Sequence, residues 1–127
     1  MRRNCVIASL LLWMALPLNA DDATPITTAE AAKKVNEKVL VEMEVKSVGG
    51  NSNHYLNSEV DYMDAKNFTV FIAKDYVDKF KKAGIRNPQK HFSGKTIRVT
   101  GTVTLDRERP RIVVSDPAQI SIVDKKD

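Results

Sequence analysis

The chain has 127 residues, 43% of them hydrophobic and 28% charged, with 20 Lys and Arg against 16 Asp and Glu for a formal net charge of +4 at pH 7. That length suits one domain, and a single cysteine excludes both a disulfide framework and a cysteine-built zinc site. Without Arg2 and Arg3, which sit in the leader described next, 18 basic face 16 acidic side chains, too slight a bias to name a polyanionic partner from net charge.

Residues 1–20 read as a signal peptide. Arg2 and Arg3 supply the positive start, residues 6–18 an apolar stretch too short to span a bilayer, and Leu18-Asn19-Ala20 a small-residue cleavage site before Asp21. The mature chain is therefore expected in the periplasm or secreted, with no membrane span and without Cys5 or Trp13. Residues 21–25 read as a flexible leader. Thr27 with Glu30 fits a capping box, Ile26 and Ala31 form a weak staple, and the alanines and lysines that follow predict a helix stopping at Asn36. So short a helix must dock to persist, and its expected place is across one end of a barrel.

Residues 38–48 alternate, with Val39, Val41, Met43 and Val45 on one face and Leu40, Glu42, Glu44 and Lys46 on the other. Gly49-Gly50-Asn51-Ser52-Asn53 is a turn, and His54-Tyr55-Leu56-Asn57 restarts a strand. Residues 58–66 are polar and acidic and read as a loop or loose hairpin extension. Residues 67–72 form the most apolar short strand. From Asp75 on, Tyr76, Val77, Phe80 and Ala83 recur at helical spacing; Gly84 ends that helix and Asn87-Pro88 bars its continuation. Residues 91–95 then lead into the longest alternating run, in which every second residue from Ile97 to Leu105 is apolar except Gly101. A mid-strand glycine predicts a bulge or a sharp bend. Charge and Pro110 interrupt at residues 106–110, and Arg111-Ile112-Val113-Val114 resumes, which predicts a hairpin with a charged tip. Ser115-Asp116-Pro117 is a turn, residues 118–123 a closing strand, and residues 124–127 a frayed tail.

The predicted class is mainly β with two short helices. Five strands with a helix between the third and fourth, plus the extra N-terminal helix, match a five-stranded OB-fold Greek-key barrel forming a single domain over residues 26–123. A small mixed α+β sandwich and an SH3-like barrel are the alternatives, though the latter does not normally carry a helix of two to three turns at that point. OB-folds bind through the face of strands two and three and the loops flanking it. The candidate ligand-binding residues are therefore Arg107, Arg109 and Arg111 at the hairpin, with Lys46 and Tyr55. Guanidinium groups bind phosphate bidentately and stack on bases, so the hairpin reads either as a polyanion clamp or as a solvated tip whose charge Asp106 and Glu108 partly neutralise. Tyr55 and Phe68 are the candidate stacking platforms on strands two and three; alternation sets Phe68 inward with Val70 and Ile72, and Phe71 opposite, so Phe68 reads as core and Tyr55 as the surface candidate. Phe80 and Phe92 read as core residues covering the barrel end.

Other chemistry finds little support. His54 and His91 are far apart and no cysteine remains after processing, so no metal site is expected. Glu59, Asp61 and Asp64 lack the glycine turn of a calcium loop and read as a solvated acidic loop. No G-x-S-x-G, P-loop or H-E-x-x-H occurs, no cofactor is implied, and the expectation is a protein without catalytic activity. Arg107-Glu108-Arg109 keeps a metal-dependent nuclease in view as the alternative enzyme.

Three stretches carry a resemblance: residues 28–32 running into 38–42; Tyr55-Leu56-Asn57 followed by 67–72; and residues 92–101 with 109–114 and Asp116-Pro117-Ala118-Gln119-Ile120. Through them the chain resembles small secreted or periplasmic bacterial OB-fold proteins of the nucleic-acid-binding-like type. The resemblance implies a fold, and as ligand a single-stranded nucleic acid or another polyanion. It departs at residues 58–66, longer and more acidic than the compact Gly/Pro link such proteins tend to have. The rival expectation is a protein–protein or envelope-stress interaction module that uses an uncharged barrel face or a sheet edge.

Overall fold

The computed structural model describes residues 24–123; the expected signal peptide (residues 1–20), residues 21–23 of the expected leader and the expected tail at residues 124–127 lie outside the described residues. The first element is helix α1 (Thr28–Ala31), closed by the predicted capping box: Thr27 Oγ1 accepts from the Glu30 amide at 3.1 Å, and Glu30 Oε1 accepts from the Thr27 amide at 2.9 Å. It is a single turn, and the expected run to Asn36 is corrected. Past Ala31 the Lys33 and Lys34 amides donate only three residues back, and Asn36 turns to φ +71°, where its amide donates to the Val103 carbonyl at 2.7 Å. Pairing with the sheet overrides the propensity of the alanines and lysines. Ile26 joins strand β1 (Lys38–Glu44) through a parallel bridge to Val41, and Ala31 is buried against the same strand.

The remaining strands are β2 (Ser47–Gly49), β3 (His54–Asn57), β4 (Thr69–Ile72), β5 (Thr96–Asp106), β6 (Arg109–Val113) and β7 (Ile120–Ile122). They pair in the order β1-β5-β6-β4-β3-β2, with β7 on β5, and every ladder is antiparallel except β4–β6. Seven strands replace the five expected. β7 is the expected closing strand, shortened to three residues and laid on β5 outside the barrel's five. The unexpected strand comes from residues 38–48, which are two strands and not one. The Val45 amide donates to the Lys95 carbonyl, while the Lys46 amide donates to the Asn57 carbonyl, so the chain changes partners between adjacent residues. The Val45 side chain stays fully buried, and apolar alternation passes through the switch unmarked. The ladder is not closed: its end strands β1 and β2 meet through the peptide at residues 45–46, not through rungs. The architecture is mainly β with short helices and is consistent with an OB-like barrel.

Strand β5 serves three partners: β1 along residues 96–102, β7 along 97–99 and β6 along 103–106. Gly101 lies where β5 passes from β1 to β6. It is not a bulge, because register continues unbroken from Val39↔Gly101 and Lys38↔Thr102 to Val103↔Ile112. A Cβ built there would stand 2.6 Å from Ile112 Cγ2, so close approach of β6 is what demands glycine.

The inward faces form one core. Phe68, Val70 and Ile72 point into it beside Leu56, Val41, Ile97 and Ile112, all at 0% exposure. Phe80 and Phe92 are buried too, as their sequence context predicts. Between β4 and β5 the chain makes a 3₁₀ turn (Lys74–Tyr76), helix α2 (Val77–Lys82) and helix α3 (Pro88–Phe92). Three α-helices among the described residues correct the expected two. Asn87-Pro88 starts a helix: Asn87 Oδ1 accepts from the Lys90 amide at 3.2 Å, and Pro88 occupies a first-turn position that has no use for an N–H.

Candidate functional site

On the outer face of β3, β4 and β6, alternation brings out Tyr55, Phe71 and Arg111. Tyr55 stands opposite Phe71 across the β3–β4 ladder, with ring centroids 5.1 Å apart and planes tilted at 49°. From the other side the Arg111 guanidinium carbon lies 4.4 Å from the centre of the Phe71 ring. Tyr55, Phe71 and Arg111 therefore make a continuous row of flat groups across three strands, with Tyr55 37% and Val113 36% exposed at its borders. A cation over an aromatic face at this separation is attracted by the ring quadrupole. Arg111 is held further by Asp106 Oδ2, 3.8 Å from its Nη1, while its buried Nε has no partner.

The lower half of the same face is covered. Thr69 Oγ1 donates to Asn57 Oδ1 at 2.9 Å, and Asn67 Nδ2 reaches both Thr69 Oγ1 at 3.1 Å and Asn57 Oδ1 at 3.4 Å. The loop at residues 58–66 is pinned above this network. Ser47 Oγ donates to the Glu59 carbonyl at 2.7 Å, and the Glu59 amide donates to Asn67 Oδ1 at 3.1 Å. Asp61 and Asp64 each accept a backbone amide two residues ahead, from Met63 and Lys66. The acids are thus turn-formers in an ordered loop, and no group of three or more His, Cys, Asp or Glu is placed to hold a metal among the described residues.

Of the predicted ligand residues, Tyr55 and Arg111 converge, and Phe71 joins them. Arg109 is diverted, its Nη1 donating to the Tyr62 carbonyl at 3.1 Å and so tying the hairpin to the acidic loop. Arg107 sits on the exposed tip. Asp106 pairs with Arg109, which leaves Arg107 at φ +53° and Glu108 at φ +67° as a two-residue turn of the primed type. Lys46 lies at the strand switch, and among the described residues nothing joins its side chain to Tyr55, Phe71 or Arg111. Phe71 is the site residue absent from the expected set. Its signal was its parity, opposite to Phe68 in the same strand.

At the end of β3 away from the acidic loop, the β2–β3 turn packs against the helices. Gln89 Nε2 donates to the Gly50 carbonyl at 2.9 Å and lies 2.9 Å from His54 Nδ1, so that nitrogen is the acceptor and the proton sits on Nε2. Partial burial holds the His54 imidazole below its ordinary pKa.

No family model matches the chain, and no curated protein does. Solved structures do. An OBody, AM1L10, bound to hen egg-white lysozyme is similar with a TM-score of 0.55 at 17% identity, over 81% of this chain and 96% of that one. Aspartyl tRNA synthetase from Entamoeba histolytica is similar with a TM-score of 0.55 at 14% identity, over 84% of this chain. Asparaginyl-tRNA synthetase from Pyrococcus horikoshii has a TM-score of 0.51 at 16% identity, over 78% of this chain. The chain spans 24% and 23% of those two synthetases. The likeness is one of fold.

Proposed function

We propose that this protein is a non-catalytic OB-fold module, exported to the periplasm, that binds single-stranded nucleic acid or a related polyanion. The row Tyr55–Phe71–Arg111 carries the reading: two tilted rings in contact and a guanidinium over the second lie on the strand face where OB-folds take oligonucleotides. Bases stack on such rings without regard to sequence, and the arginine adds charge and a further flat surface. Likeness to a domain-sized part of two tRNA synthetases supports a nucleic acid as the ligand class. Arg109 acts by holding the acidic loop, and Arg107 and Lys46 supply peripheral charge.

The test is fluorescence anisotropy with a labelled single strand of about 12 nucleotides, within the usual range of about 4–16 per OB-fold. Phe71→Ala is expected to weaken binding about 5- to 150-fold, the equivalent of about 1–3 kcal/mol for one stacked base. Absence of binding at low salt refutes the reading. The strand is expected to stay intact with magnesium present; cleavage abolished by Glu108→Gln would instead identify a nuclease.

One observation favours a second reading. The acidic loop exposes Val60, Tyr62 and Met63 at 78%, 62% and 56%, and Leu105 beside the hairpin is 51% exposed. A similar chain has been solved bound to a protein, hen egg-white lysozyme. In this reading the loop is a protein-docking edge, and association survives both nuclease and high salt.

A further inference from the structure

The stacking face is not where the chain keeps its positive charge. Residues 74–95 hold seven basic and two acidic side chains, whereas the other described residues hold nine basic and ten acidic. That segment folds as the 3₁₀ turn, α2 and α3, and it clamps the β2–β3 turn at both ends. The Lys74 amide donates to Asn53 Oδ1 at 2.9 Å, and Gln89 holds Gly50 and His54. Between the clamps lie two adjoining hollows of about 420 and 400 Å³ that share Asn51, His54 and Asn87. Lys90 lines the first; Lys74, Lys81 and Arg86 line the second; Asp78 is the one acid on either. All four cations are exposed, and none makes an ion pair among the described residues.

This hollow and the stacking row share a wall. His54 and Tyr55 are neighbours in β3, so their side chains leave on opposite faces. A Cβ at Gly50 would stand 2.9 Å from Tyr55 Cδ1, which places that ring against the turn whose other flank lines the hollow.

We infer that the hollow between the β2–β3 turn and helices α2 and α3 is a phosphate-binding cleft, which takes the backbone of a single strand whose bases lie on Tyr55 and Phe71. Its charge stands on the observations above; the identity of its ligand rests on the proposed function. Lysines attract phosphate as point charges, and Arg86 adds a bidentate fork. The neutral donors Asn51, Ser52 and Asn87 complete a lining suited to oxygen anions.

The experiment combines Lys74→Gln, Lys81→Gln, Arg86→Gln and Lys90→Gln, with the two pairs of substitutions made separately should the fourfold variant fail to fold. Each phosphate neutralised contributes about −0.7 to the slope of log K against log salt for a single strand. With a strand of about 12 nucleotides the slope is expected to become shallower by about 2–3, while a trinucleotide, long enough only for the stacking row, binds within about twofold of wild type. An unchanged slope overturns the cleft and leaves the proposed function standing. Tripolyphosphate, titrated into ¹⁵N-labelled protein, separates the two ideas. Amide shifts at residues 51–53 and 74–90, absent in the variant, are expected. If they appear while no oligonucleotide binds, the cleft stands and the nucleic-acid reading falls; if they do not appear, the cleft falls.

Discussion

Gly101→Ala offers the sharpest test of how the strands come together. The added methyl would meet Ile112 Cγ2 at 2.6 Å, with Gln119 Nε2 at 3.4 Å on its other side. Relaxed carbon contacts lie at about 3.5–4.0 Å, so β6 must retreat by about 1 Å. The obstacle is the branch methyl of a fully buried residue in a paired strand and not the free end of a flexible side chain. Overpacking of this kind costs about 1–3 kcal/mol, and alanine recovers about 0.4–1 kcal/mol through the unfolded chain. A net loss of about 1–2 kcal/mol is expected. Urea unfolding followed by far-ultraviolet circular dichroism reads it as a midpoint lowered by about 1 M for an m of about 1–2 kcal/mol/M. Ile112→Ala alone should cost about 2–5 kcal/mol by leaving a cavity. In the double variant the new methyl enters the vacated space, so the combined loss falls short of the sum by about 1 kcal/mol or more. A single Gly101→Ala variant within about 0.5 kcal/mol of wild type, or strict additivity in the pair, would show that Ile112 does not set the requirement for glycine.

Gln119 Oε1 accepts from the Ser115 and Asp116 amides, and its Nε2 donates to the Thr100 carbonyl at 2.9 Å. Gln119→Ala should therefore cost about 1–3 kcal/mol in the same assay, and a neutral result would mean water replaces those bonds freely. Glu108→Gly relieves a left-handed residue worth about 1–2 kcal/mol but gives back about 0.5–1 kcal/mol of chain entropy, so stability should rise by about 0.5–1 kcal/mol; a loss would refute the strain assigned to the tip. Because His54 titrates below its ordinary value of 6.5 when folded, the unfolded chain takes up its proton first and stability declines as pH falls from that value toward the lowered one. His54→Asn should flatten that part of the curve; an equally steep decline would acquit His54. Glu30, held low by its bonds to Thr27, adds its own loss as pH falls from its ordinary 4.5 toward its lowered value. Mass spectrometry of the exported protein should find Asp21 at its start, and an intact leader would rule out cleavage after Ala20.

Period-two patterning was enough to sort the two phenylalanines of β4, with Phe68 inward and Phe71 outward, and to place nearly every strand. It failed where side-chain pattern and hydrogen-bond pattern part company. Val45 remains apolar and inward while its backbone changes partner, so nothing in residues 38–48 marks one strand becoming two. Asn87-Pro88 reads equally as an ending or a beginning, and only the bond from Lys90 to Asn87 decides. The arginine hairpin stands out in the sequence because its charges lie close together along the chain. Arg109 is nevertheless occupied by the Tyr62 carbonyl, whereas Lys74, Lys81, Arg86 and Lys90, scattered over two helices and their junctions, gather around one hollow only after folding.

The triple pairing of β5 also dictates an order of events during synthesis. The β2-β3-β4 meander can form locally as soon as it emerges, but β1 has no ladder to join until residues 96–102 have been made. For the intervening span β1 is an apolar, unpaired edge, the kind of template on which neighbouring chains aggregate. If the chain is exported as proposed, delivery through a narrow channel would hold β1 unfolded until its partner arrives.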